Sequence, residues 1–562
     1  MENNSRKWMV LAATIFIQAF TGTNFDFSAY SCVLKYALGL SQVQLNYLAT
    51  ASDFGKALGW CSGLALQRLP VWVVLFISAF MGFLGYGLQW LVVHNVISLP
   101  YFVVVLLCFM DGVSICWFNT VCFVLCSRNF PSSRPLALAL SVSFNGLSAA
   151  LYNLMADALN PSSRAFYLVL NALVPILISV FALFPILCQS PEDPPTVDSV
   201  KRDQPIFIAL NILAVITGLY LLLLHSTNSF SSCMILFGTI CLLILNFGIP
   251  HFLTPSRGVH NTIYSMFNGK SSGFTLPDTT EDLDLQQELL KGEHASSDLT
   301  SPRKYGERSP YGYLEEDSRT SQRGCDSLLG KDRLFSINEE HKPHALVRSL
   351  DFWLYYAAYF CGGTIGLVYS NNLGQISESL GLNSMTTTLI TLYSSFSFFG
   401  RLLAAGPDFI KNKVCFARTG WMAIMLLPTP LAFFLLASSS SAMVLKLGTS
   451  LIGLSSGFLF AGAVSITSEL FGPNSVGVNH NILITNIPIG SLVYGFLAAT
   501  VYDGNGSPGL VSTSSPIVCI GKECYFTTFL WWGFIAILGV ASSFLLFFRT
   551  RHAYYRYEQN QM

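Results

Sequence analysis

Asp53 and Lys56 stand three residues apart in a stretch, Leu45 to Trp72, that begins as an apolar run long enough to cross a bilayer. Three apart on a helix, the two side chains are neighbours. A charge near mid-bilayer costs several kcal/mol unless it is paired or wetted. Two readings stand: a cavity-lining ion pair or proton site that re-forms as a carrier switches, or a fixed pair that holds helices together. Gly55, Gly59 and Gly63 recur every four residues on one face of the same helix, a smooth seam for close helix packing. At about 100° per residue, Asp53 and Lys56 point away from that seam.

Other polar groups sit in apolar surroundings. Asn24 and Asp26 lie towards the end of the first apolar run, above a stripe of Thr14, Gln18 and Thr21. The stripe reads as cavity lining, and Asp26 either lines the cavity or caps the helix in water. Asp111 follows the apolar run Tyr101–Met110, with Asn119 about 80° round the helix. It is a candidate coupling acid or an internal hydrogen-bonded one. Asn145 belongs to a stripe with Ser141, Ser148 and Tyr152, where helix packing outweighs solute contact. Tyr355 and Tyr359 share a face and suit ring stacking on a ligand, although core packing is commoner. Asn479, His480 and Asn486 occupy a helix interrupted by Pro488; His is the side chain that titrates near neutral pH. Arg68, Arg401 and Asp408 are read as gate-turn residues. No nucleophile–base set, phosphate loop or H-E-x-x-H occurs, and no Cys/His spacing fits a metal. The expectation is no enzyme, no ATP-driven pump and no cofactor.

The elements carrying these residues follow from composition. Of 562 residues, 52% are hydrophobic and 11% charged, against about 25% charged in soluble domains. The mean hydropathy is +0.51. This is an all-α polytopic membrane protein whose surroundings are the lipid bilayer, and its net charge of +0 gives no reason to expect nucleic acid. Spans are expected at 8–30, 43–66, 71–93, 99–127, 132–157, 164–188, 206–225, 231–253, 348–371, 386–406, 415–437, 442–470, 474–500 and 526–549. They group as six, two and six. The domains are then 1–190, a six-helix bundle; 191–253, two additional helices; 254–346, a polar loop; 347–549, a second six-helix bundle; and 550–562, a tail. Arg6, Lys7, Arg68, Arg128, Arg134, Lys201, Arg202, Lys411, Lys413 and Arg418 fall on one side with the tail, so both termini are expected in the cytoplasm. Which membrane is left open between plasma membrane and endomembrane. The 254–346 composition is that of a disordered segment. Its Ser-Pro sites at 301–310 suit a kinase, although an unswitched linker is the commoner case. Asn505-Gly506-Ser507 is a glycosylation sequon followed by Pro508. Cys519 and Cys524 are either a local disulfide or two thiols.

The stretch Thr386–Lys413 repeats the plan of the Asp53 region: an apolar helix, a small-residue end and a basic turn. Repeated halves are typical of transporters. The segments TGTNFDFSAYSCVLK (21–35), SQVQLNYLATASDFGKALGW (41–60), FNTVCFVLCSRNFP (118–131), SFNGLSAALYN (143–153), FFGRLLAAGPDF (398–409) and NHNILITNIPIGS (479–491) resemble the plant nodulin-like family of the major facilitator superfamily, in its Nuclear Fusion Defective 4 branch. The resemblance implies a rocker-switch carrier with a central cavity between two six-helix bundles. In the turn after the second helix, Gln67 stands where the superfamily has an acid. No Lys occurs in Leu140–Ser148, where many nodulin-like sequences have one, so no anionic substrate is carried over. The expected function is secondary active transport of a small solute, with proton coupling open. The alternative is a transporter-shaped protein acting through its cytoplasmic loop, for example in membrane or nuclear fusion.

Overall fold

The computed structural model describes residues 2–66, 68–131, 133–188, 197–224, 229–253, 337, 339–407, 416–472, 475–506 and 518–559. Asp408 and the Ser-Pro sites fall outside these residues. The described chain is helical throughout its long elements. In order they are α1 (Arg6–Leu38), α2 (Gln42–Ala57, continued by Trp60–Leu66), α3 (Val71–Val93), α4 (Tyr101–Asn129), α5 (Arg134–Leu159), α6 (Phe166–Leu187), α7 (Val197–Leu223) and α8 (Ser229–Leu253). Then come α9 (Leu350–Tyr359, a π-turn Phe360–Thr364, and Ile365–Ser379), α10 (Thr386–Leu403), α11 (Arg418–Ser438), α12 (Ala442–Phe471), α13 (Val476–Ile484 and Asn486–Asn505) and α14 (Glu523–Gln559). Eleven of them are long and apolar enough to cross a membrane; α2, α9 and α10 are not among those eleven.

Where the helices depart from the sequence expectation, buried polar groups are the cause. The first span reaches Leu38 rather than residue 30, through a 3-10 turn at Thr23–Asp26. Lys35, expected beyond the helix, is 1% exposed inside it. The ninth runs to Ser379 rather than 371, because Asn371, Asn372, Gln375, Ser377 and Ser379 are all buried. A hydropathy window stops at such residues, whereas here they face protein. The second helix is not continuous: it breaks between Ala57 and Trp60. Residues 339–348 also differ from the expected loop. Glu340 accepts from Ser475 at 2.6 Å, and His341 N–H donates to the Phe471 carbonyl.

Only part of the glycine seam acts as one. A Cβ on Gly55 would collide with the Phe109 carbonyl, and one on Gly59 with the Cys116 sulfur, so both pack on α4. Gly63 has nothing within 4 Å. It lies past the break at residues 58–59, which rotates the last turns out of register.

We call the end of the bundle where α1 begins the near face and the opposite end the far face. The first half, α1–α6, meets the second, α9–α14, along two seams: α2 packs on α13 and α5 on α10. The two added helices lie against the second seam. α8 packs on α5, and Gly218 of α7 sits under the Phe398 and Phe399 rings of α10.

Candidate transport site

The Asp53–Lys56 pair forms, with Nζ 2.5 Å from Oδ1. Asp53 is 1% exposed and the Lys56 side chain 15%. The second Asp53 oxygen accepts from the Ser491 hydroxyl on α13. One carboxylate therefore neutralises a lysine within its own helix and ties that helix to the other half. Beside it lies a small pocket, with room for about one water rather than a solute in this state. Asn24, Tyr86, Asp111 and Lys56 line it from the first half, and Asn371 from the second.

A second acidic network flanks the cavity inside the first half. Gln89 Nε2 donates to Asp111 Oδ2 at 2.6 Å, and Asn171 Nδ2 to Asp26 Oδ1 at 3.1 Å. The other carboxyl oxygen of each acid is buried without a partner. Neither acid has a cationic partner among the described residues. Gly85 makes room for this arrangement, since a Cβ there would overlap Asp111 Oδ1. Asp26 is not a solvated cap: it is 0% exposed, because the 3-10 turn carries it inwards against α6. Sequence reasoning missed Gln89, Asn171, Ser491 and Asn371. Gln89 and Asn171 are single polar residues in apolar helices, the same signal that flagged Asp111, whereas Asn371 lies in a polar helix end and Ser491 is an ordinary small residue.

A third polar group lies between the halves. Arg401 of α10 is 3% exposed. Its Nη1 donates to the Val142 carbonyl at 3.0 Å and to Asn145 Oδ1 at 3.1 Å, both on α5. Phe25 of α1 and Phe460 of α12 place their rings 5.1 and 5.5 Å from the guanidinium carbon. The expected gate turn is thus not where its head group lies; the long side chain carries it to the seam. Gln18, on α1, is buried with both amide atoms unbonded.

On the far face the cavity is closed by polar contacts between the halves. Gln42 and Val43 N–H groups donate to Asp503, and Asn46 donates to the Gly495 carbonyl at 2.9 Å. Gln375 donates to Ser31 at 2.9 Å, and Tyr36 to Glu378 at 2.7 Å. Lys35 donates to Gln42 and lies 4.8 Å from the Tyr502 ring.

The remaining candidates lie elsewhere. Tyr355 donates to the Ala463 carbonyl at 2.8 Å and stacks on Phe471, and Tyr359 packs on Phe460. Asn479 donates to the His341 and Phe471 carbonyls. Asn486 bonds Thr364 and Leu483, beyond a break in α13 that takes it off the Asn479 face. His480 and Asn119 are half-buried and outside the cavity lining. Arg68 is exposed in its turn. Asn505 ends α13, exposed, donating to the Val501 and Glu523 carbonyls. Cys519 and Cys524 are joined as a disulfide.

The nodulin-like family pattern matches residues 7–251, and the NFD4 C-terminal domain matches 334–556. The first match includes α7 and α8. The chain is 54% identical to the Protein NUCLEAR FUSION DEFECTIVE 4 of Arabidopsis thaliana over 560 residues, 99% of this chain and 91% of that one. A probable transporter, MCH1 of Yarrowia lipolytica, is 26% identical over 188 residues, 32% of this chain and 38% of its own. Among solved structures, the xylose transporter XylE from E. coli superposes with a TM-score of 0.51 at 9% identity, covering 96% of this chain and 97% of its own. PepTSo2 superposes with a TM-score of 0.50 at 10% identity, covering 98% and 99%. These two likenesses concern the fold. The chain is a multi-pass membrane protein with the major facilitator fold, and it belongs to the nodulin-like family, in the branch that carries the NFD4 C-terminal domain.

Proposed function

We propose that this protein is a secondary carrier of a small solute, working by alternating access between its two halves. The observation that carries the reading is the cavity beside Asp53, Lys56 and Asp111, lined from both halves and bonded shut on the far face. Charged groups sunk in hydrocarbon mark solute or ion paths. A fixed structural pair would need no space beside it. The likeness of part of the chain to a probable transporter supports the same reading. The near face, with Arg6, Lys7 and Arg68, is the cytoplasmic one by its basic residues.

Proton coupling fits the carboxyls of Asp26 and Asp111. Each has one amide donor, one free oxygen and no cation among the described residues. A proton is the smallest charge that neutralises such a group when its surroundings dry. Reconstitution in proteoliposomes, with a solute screen run with and without a pH gradient, tests the reading. The expected result is saturable flux that Asp53→Asn abolishes and that Asp111→Asn uncouples from the gradient. No saturable flux for any solute, with Asp53→Asn changing no measured property, would contradict it.

A further inference from the structure

The charges of the central region do not balance in the same way. Asp53 and Lys56 neutralise each other. Arg401 is 3% exposed and has no carboxylate partner among the described residues. A buried guanidinium without an anion is costly, and carbonyl and amide oxygens answer only part of that cost. In Arg401 they occupy one edge. Nη1 serves Val142 and Asn145, whereas Nε is buried and unbonded and Nη2 donates to no group among the described residues. The Nε–Nη2 edge is a two-pronged fork that fits the two oxygens of a carboxylate. A second donor, Asn145 Nδ2, is also buried and unbonded, on the opposite half. The walls are apolar: Phe25 and Phe460 flank the guanidinium, and Phe460 rests on Tyr359 at 6.1 Å.

We infer that Arg401 and Asn145 form the anion seat of the carrier, and that its solute is a small carboxylate with an apolar tail. The inference rests on the carrier reading and names its substrate class. The missing lysine of the fifth helix is then no bar to an anion, because the cation comes from α10. The fork fixes the carboxylate, the rings take the tail, and the seat spans the seam between the halves, so occupancy is felt by both.

The test is equilibrium binding of radiolabelled benzoate to the full-length protein in detergent, with benzamide as the neutral isostere and inorganic phosphate as the other anion. Labelled benzoate should bind saturably, unlabelled benzoate should displace it, and benzamide should not compete. Arg401→Gln should weaken benzoate at least about tenfold, Arg401→Lys should restore part of the loss, and Arg549→Gln, far from the seat, should change nothing. Should Arg401→Gln fail to fold, the wild type still decides: benzoate should protect Arg401 from phenylglyoxal, read by mass spectrometry. Equal binding of benzamide, tighter binding of phosphate, wild-type affinity in folded Arg401→Gln, or no protection would each overturn the inference. Flux of a neutral solute that ignores both benzoate and Arg401→Gln would overturn it while leaving the carrier reading intact. Arg401-dependent benzoate binding without any flux would support it and remove the carrier reading.

Discussion

Along α5 and α10 the halves are joined at every level. Arg401 holds the Val142 carbonyl towards the near face, Ser394 donates to the Gly146 carbonyl at 2.6 Å midway, and Asn153 donates to the Thr387 carbonyl at 3.0 Å towards the far face. Along α2 and α13 the bonds run only from Gln42 to Asp53 on one helix and from Ser491 to Asp503 on the other. Beyond Asp53 both helices break, at Ala57–Trp60 and at Thr485. Among the described residues, no hydrogen bond joins the pieces Trp60–Leu66 and Val476–Ile484. One seam is thus bonded along its length and backed by α7 and α8, whereas the other is fastened at one end. On the proposed carrier reading, such halves would stay joined along the first seam while the second exchanges its far-face fastening for contact at the near face. Asp53 stands at the last fastening, next to the cavity.

The comparison can be broken first at its support. Gly55→Val drives a side chain into the α4 backbone and should cost on the order of 3 kcal/mol, seen as loss of a monodisperse folded peak and a lower melting temperature. Gly63→Val, with open space around it, should melt like the wild type. Next is the fastening itself. Asp53→Asn leaves Lys56 without its counter-charge; with the lysine partly exposed, the cost should be about 2 kcal/mol by thermal melting. Smaller again is Asn372→Ala, which removes the acceptor of Gln42 Nε2 on the far face. It should weaken far-face closure by about 1 kcal/mol, roughly a fivefold shift towards the open form, read as a larger long-distance fraction between spin labels at Ala37→Cys and Ser384→Cys. Of the same size is Arg549→Gln, which leaves the buried Asp351 carboxylate without its cation; it should cost about 1 kcal/mol by thermal melting and leave both seams unchanged.

The membrane class, the two halves and the central acids were legible because their signal is local. An Asp in an apolar run is expensive wherever it lies, and Asp53, Lys56, Asn24 and Asp111 do border one cavity. The halves' meeting surfaces were not legible. Asn372 and Gln375 looked like the end of a span because hydropathy counts polarity, not which side of the helix meets protein. Ser491 gave no signal, being an ordinary small residue whose weight comes from Asp53 opposite. Tyr355, Asn479 and Asn486 share a polar or aromatic character with true lining residues, but bond within the second half. Arg401 was assigned by the position of its Cα near a turn, although a side chain of that length delivers its charge several ångströms away.

The central claim is that the far-face and near-face ends of the halves open in opposition. Double electron–electron resonance on two labelled pairs tests it, in a background with the exposed Cys233 and Cys241 replaced by Ser. One pair is Ala37→Cys with Ser384→Cys at the far face, the other Arg68→Cys with Val478→Cys at the near face. With solute or a pH gradient applied, a second population should appear in which the far pair is longer and the near pair shorter, in equal proportion. A single distance at both faces under every condition, or both pairs lengthening together, would contradict it.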